Sequence, residues 1–134
     1  MTTAHEAARR LLAAADSGEL DRVCVTRGVR LLGLCGSAAR TQVAEPSDLD
    51  VAVSFTGPAE QLGLLDDLVR LTEFDRVDLA VIDGANPVLR AEAMVGLPLY
   101  EAEPGMYATT QMAALAERRD TQWLRDLDLE ALQQ

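Results

Sequence analysis

Two short stretches of the sequence carry residue types that handle phosphate, Gly36-Ser37-Ala38-Ala39-Arg40 and Ser47-Asp48-Leu49-Asp50. Residues two apart on a strand share a face, about 6.6 Å apart along the backbone. Asp48 and Asp50 would therefore stand side by side and repel each other unless a divalent cation lay between them. Oxygen-only ligands suit Mg²⁺ or Mn²⁺ better than zinc. Gly36 lets the backbone approach a phosphate closely, and the free N–H groups of a following helix, with the Ser37 hydroxyl, can hydrogen-bond its oxygens. Arg40 stands three residues on, one helical turn along the same face, within reach of a phosphate oxygen or of Glu45. Taken singly, an Asp-x-Asp is a solvated strand edge and a Gly-Ser a capped turn.

Asp78 alters that balance. It interrupts Val77, Leu79, Ala80, Val81 and Ile82, a run apolar on both faces that predicts a central strand. An unpaired charge there is costly, so Asp78 is expected either to meet an arginine or to join Asp48 and Asp50 around shared cations. Two divalent cations outweigh three carboxylates by one positive charge, which prepares the place for a triphosphate. Cations, turn and arginine together point to phosphoryl or nucleotidyl transfer, chemistry done by positioning and charge neutralisation.

Positioning these groups requires strands that end at one place. Val29 to Cys35 reads as a buried strand closed by Gly36-Ser37, with Ser37 capping a short helix over 38–42 and a loop over 43–47. Asp48 to Phe55 alternates as a second strand, with Leu49, Val51, Val53 and Phe55 on one side and Asp48, Asp50, Ala52 and Ser54 on the other. Arg76 to Ile82 is the third, and Leu97 to Tyr100 a short edge strand. Around them the spacing predicts a helix from Ala4 to Ala15 and one from Ala59 to Thr72 striped by Leu62, Leu65, Leu68 and Val69, while Glu19 to Arg27 fits a strand through Val23, Val25 and Thr26 or, the favoured reading, a short helix through Leu20, Val23 and Cys24. Another opens at Pro87 and closes at Gly96. A last, mostly helical segment is expected over Gly105 to Leu127, with Met112, Ala113, Ala116, Trp123 and Leu127 on one side, for the core or a partner interface. No linker or repeat divides the chain, so residues 1–134 read as one domain of 134 residues, 49% of them hydrophobic.

Composition narrows the functions. All twelve basic residues are arginine and face 22 acidic ones, for a net charge of −10. That balance disfavours direct nucleic-acid binding and favours a basic protein partner or a bound divalent cation. The lone histidine, His5, leaves no Ser/His/Asp triad, Cys/His pair or multi-histidine zinc site. Cys24 and Cys35 lack Cys-x-x-Cys spacing and read as buried thiols of a reducing compartment. Apolar stretches fall short of the ~20 residues of a bilayer span and no signal peptide opens the chain, so a cytoplasmic protein without a membrane segment is expected.

Gly36-Ser37, ten residues, then Asp48-x-Asp50, with Asp78 on a later strand, resembles the DNA-polymerase-β-type nucleotidyltransferase superfamily. In length the chain is similar to the minimal nucleotidyltransferase (MNT) proteins. Asn86-Pro87, Gly96-Leu97-Pro98-Leu99-Tyr100-Glu101 and the closing helix resemble MNT antitoxins paired with HEPN-domain toxins. The resemblance implies an α+β fold with a mixed sheet flanked by helices. It implies Asp48, Asp50 and Asp78 as catalytic carboxylates on two Mg²⁺ ions, Asp78 also as base, and Gly36, Ser37, Arg40 and Ser47 around the nucleotide. It further implies ATP as substrate and transfer of AMP to a tyrosine of a HEPN ribonuclease toxin, which is thereby silenced. Thr41 departs from relatives that have glycine after the arginine. Two other readings are a nucleotidyltransferase acting on a small molecule such as an aminoglycoside, for which no second domain builds a pocket, and an antitoxin that neutralises by contact alone.

Overall fold

A computed structural model of the chain describes residues 2–36 and 48–133. The Thr3 hydroxyl accepts a hydrogen bond from the Glu6 N–H at 3.1 Å and opens α1 (Ala4–Ser17). Gly18 closes α1 in the left-handed conformation, at φ +86°, and leads into α2 (Glu19–Thr26). There follow β1 (Val29–Cys35), β2 (Leu49–Phe55), α3 (Gln61–Thr72), β3 (Val77–Val81), α4 (Pro87–Met94), β4 (Leu97–Glu101), α5 (Met106–Asp120) and α6 (Gln122–Gln133). Asn86 caps α4 by accepting from the Leu89 N–H at 2.9 Å, with Pro87 in the first turn. The expected helix over 38–42 and loop over 43–47 lie outside the described residues.

The sheet order is β3-β2-β1-β4. β1 runs antiparallel to both β2 and β4, and β2 runs parallel to β3. α3 supplies the crossover that a parallel pair needs. One face of the sheet buries Leu32, Leu34, Leu49, Val51 and Val53 against α1, α2 and α3. The other carries smaller residues and packs Leu31, Cys35 and Ala52 against Ala93, Met94, Tyr107 and Ala114 of α4 and α5. The alternation of β2 into a large-apolar and a small or polar face is thus realised, and the mixed sheet flanked by helices is the expected fold class.

Three expectations are corrected. β3 is an edge strand among the described residues, so its apolar run is only partly covered and Asp78 is exposed. A burial cost therefore does not constrain that carboxylate. In α3 the buried positions are Leu64, Leu68 and Thr72, while Leu62 is 81% exposed. The helix begins at Gln61, and its inner face is set by what packs on α1 rather than by the densest leucine stripe. The last helix breaks at Thr121, and α5 packs through Tyr107 and Ala114, leaving Met112, Trp123 and Leu127 exposed. Gly33 explains the choice: a Cβ there would run into the Tyr107 ring, so the bare backbone of β1 receives the aromatic side chain.

Gly96 fills a similar role between strands, since a Cβ on it would strike the Leu34 carbonyl across the β1–β4 pair. Backbone cannot give way as a side-chain tip can, so Gly96→Ala is expected to destabilise the protein by about 1–3 kcal/mol in urea unfolding. Gly57→Ala, which points into open space, should change stability by less than about 0.5 kcal/mol.

Cys24 and Cys35 are buried and unpaired. Burial, with Asp21 nearby, pushes the Cys24 thiol up to about 12, and burial, with Asp50, pushes Cys35 up to about 11. Raised values keep both as neutral thiols at pH 8, and the thiolate is the reactive form. Ellman's reagent should therefore label neither in the native protein and both promptly in denaturant. Rapid labelling of Cys35 before unfolding would contradict this packing. Among the described residues no helix is long and apolar enough to cross a membrane.

Candidate active site

The site is built where β1 ends and β2 and β3 begin. Antiparallel pairing sets Cys35 opposite Asp50, and parallel pairing sets Asp50 opposite Asp78. Directly paired residues of neighbouring strands point to the same face, so the Asp50 and Asp78 carboxylates face the same space, on the α4 side of the sheet. The Leu49 N–H donates to the Arg76 carbonyl at 2.9 Å and fixes the start of β2 against β3. Asp48 stands immediately before β2 and is half-buried. Asp78 thus lies on the same face as Asp50, not on the far one.

Gly36 follows β1 at φ +68°, a left-handed turn that glycine adopts without strain. A Cβ at this position would land on the Asp50 carboxylate. Turn and carboxylate are therefore fitted to each other. They open with Asp78 into one cleft of about 260 Å³, whose further lining includes Leu89, Glu92 and Ala93 of α4. Ser37, Arg40 and Ser47 lie outside the described residues.

The electrostatics follow from the crowding. Partial burial first, then the negative charges of Asp78 and Asp48, push the Asp50 carboxyl above the ordinary aspartate range. Elsewhere carboxylates are tied down. Asp67 accepts from Arg27 at 2.8 Å, Asp83 from the Ser54 hydroxyl at 2.7 Å and the Phe55 N–H at 2.9 Å, and Glu101 from the Tyr107 N–H at 2.8 Å. Asp48, Asp50 and Asp78 have no such donor or cation among the described residues. Arg76, two residues before Asp78, lies with its guanidinium over the Phe74 ring, 5.2 Å from its centre.

Among the described residues no three carboxylate, imidazole or thiol groups converge as ligands of one ion. Asp50 and Asp78 form a facing pair, and Asp48 adds its charge from the strand entrance. Such a set fits Mg²⁺, which is usually held by one or two carboxylates and by the oxygens of a phosphate substrate and water. A carboxylate pair with no cation or donor beside it among the described residues, next to a backbone turn, has the chemistry to attract a divalent cation.

The sequence reading missed the α4 wall. Leu89, Glu92 and Ala93 fall at i, i+3 and i+4, so one helical face was marked, but nothing local shows that this face turns toward the aspartates.

No protein-family model matches the chain and no curated protein matches it. Solved structures do. A chain in a toxin-antitoxin structure with AMP-PNP superposes with a TM-score of 0.68 at 16% identity, over 89% of this chain and 99% of that one. A chain in the structure of a mutant toxin-antitoxin MntA-HpeT gives 0.67 at 16% identity, over 87% and 98%. A third, from a tri-AMPylated Shewanella oneidensis HEPN toxin in complex with an MNT antitoxin, gives 0.65 at 15% identity, over 92% and 99%. At these identities the likeness establishes architecture alone: the chain shares the fold of the chains it matches in these toxin-antitoxin structures.

Proposed function

We propose that the chain is an antitoxin-type nucleotidyltransferase that moves AMP from ATP to a tyrosine of a HEPN-domain toxin and so silences it. The observation that carries the reading is the in-register pair Asp50 and Asp78, without a hydrogen-bond donor or cation among the described residues and facing one cleft with the Gly36 turn. The fold supports it, because chains of the same fold occur in structures with AMP-PNP and with a tri-AMPylated HEPN toxin.

In this reading Asp48, Asp50 and Asp78 hold Mg²⁺, or Mn²⁺, which when bound neutralises the nucleotide phosphates and the charge that builds up in the transition state. Gly36 and Ser37, with Arg40 and Ser47, hold the phosphate oxygens. The acceptor hydroxyl attacks the α-phosphorus, the α–β phosphoanhydride bond breaks and pyrophosphate leaves. The exposed Asp78 carboxylate takes the hydroxyl proton at the open side of the cleft. A cleft open to solvent suits an acceptor presented by another protein, whose surface completes the enclosure. An acidic chain, at −10, also steers a basic partner toward itself.

The test incubates the protein with a HEPN-domain toxin, Mg²⁺ and each nucleoside triphosphate, and weighs the toxin by mass spectrometry. A gain of one or more AMP units, only with ATP, is the expected result. Tight binding with no mass change would replace it with neutralisation by contact alone.

A further inference from the structure

α6 is an element the transfer site does not use. None of its described residues is buried, although it carries Trp123 at 59% exposure, Leu124 at 46% and Leu127 at 52%. At about 100° per residue these three and Ala131 fall within one stripe roughly 100° wide, the width of a helix face meant for packing. A 12-residue helix is marginal in water when it packs on nothing. Inside this chain it is held mainly at its start, where Arg125 donates to the Arg118 carbonyl at 2.7 Å and the Thr121 hydroxyl at 2.9 Å.

The charges around the stripe select what covers it. α6 bears Asp126, Asp128 and Glu130 against Arg125 alone, on a chain of net charge −10. A second copy would bring the same carboxylates and the same net charge against it, and like charges facing each other across an interface are costly. We propose that α6 is a docking arm that receives an amphipathic helix of a partner protein, apolar on its contact face and lysine- or arginine-rich on its flanks. The apolar stripes bury each other, and the basic flanks meet Asp126, Asp128 and Glu130. The inference stands on α6 alone and needs neither nucleotide nor metal.

Trp123 is the only tryptophan in the chain, so its fluorescence reports on this surface directly. The test titrates the full chain, without nucleotide or metal, with a synthetic helical peptide of leucine and lysine and with its leucine–glutamate counterpart. Trp123 is expected to emit as an exposed indole at first, and to shift to the blue, saturably, with the lysine peptide only. Leu127→Glu should weaken that binding at least tenfold. Leu132→Glu lies about 140° round the helix on a residue 83% exposed, and should leave binding unchanged. Circular dichroism checks that both variants keep their helix content. Absence of a blue shift, equal binding of the acidic peptide, or unchanged affinity in Leu127→Glu would overturn the proposal. So would sedimentation of the chain alone as a dimer with Trp123 already shielded.

Discussion

Asp50→Asn is expected to abolish nucleotidyl transfer, at least a hundredfold, while the protein remains folded. The substitution keeps size and removes the charge that faces Asp78 across the β2–β3 register. On the proposed function the cleft would then hold a divalent cation and its phosphates less well in the ground state and the transition state alike, and groups aimed at developing charge are typically worth about 10²–10³ in rate. Toxin modification by mass spectrometry reads the loss. Wild-type activity in Asp50→Asn would remove Asp50 from the site.

The same substitution carries a second, opposite signature in stability. The Asp50 carboxyl is raised above its ordinary value of 3.8, by burial first and then by Asp78 and Asp48. A carboxyl raised in the folded state binds its proton more tightly there than in the unfolded chain. It therefore penalises folding above the folded value, and stability rises as pH falls through that value, the gain being complete below the unfolded one. Without metal, Asp50→Asn should be more stable than the parent near neutrality, and the difference should shrink as pH falls through the raised folded-state value. Glu101 works in the other direction, its carboxyl being lowered by the Tyr107 and Gly105 N–H groups. For that reason the comparison is between variant and parent at each pH, by urea unfolding, rather than along either curve alone. Adding Mg²⁺ should stabilise the parent and not the variant.

Gly36→Ala is the second large effect. At φ +68° a residue with a Cβ costs about 1–2 kcal/mol, and here that Cβ also strikes the Asp50 carboxylate. Displacing a reacting group by about 1 Å can cost a hundredfold in rate, so transfer should fall by about that factor together with a modest drop in stability. Gly28 separates the two contributions. It has the same φ of +68° but nothing within 4 Å of a Cβ, so Gly28→Ala should lose similar stability and keep its activity. Equal activity losses in both variants would show that strain, not the fit of turn to carboxylate, governs the effect.

The pattern of β2 was legible in the sequence because strand periodicity is local. Alternation at every second residue states which side chains share a face, and Asp48, Asp50, Ala52 and Ser54 were placed together on that ground. Capping residues and glycines likewise mark element ends, as Thr3, Gly18 and Asn86 do. Asp78 was different. Its neighbours are apolar on both faces, a composition that predicts a central strand, because a segment records its own hydrophobicity and not how many strands flank it. The sheet order, which is a property of all strands at once, put β3 at the edge among the described residues and left Asp78 exposed.

The amino-acid sequence by itself marked most of the described helices and strands, the carboxylate and turn residues by type and spacing, and the net acidic charge of −10. These depend on neighbours within a few residues. Only the tertiary structure decided that β2 and β3 pair with Asp50 level with Asp78, that the Gly36 turn closes on Asp50, that α4 lends Leu89 and Glu92 to the cleft, and that among the described residues nothing covers the apolar face of α6. The physical reason is that register and packing are fixed by side chains distant in the chain competing for the same buried space, and no single segment records the outcome of that competition.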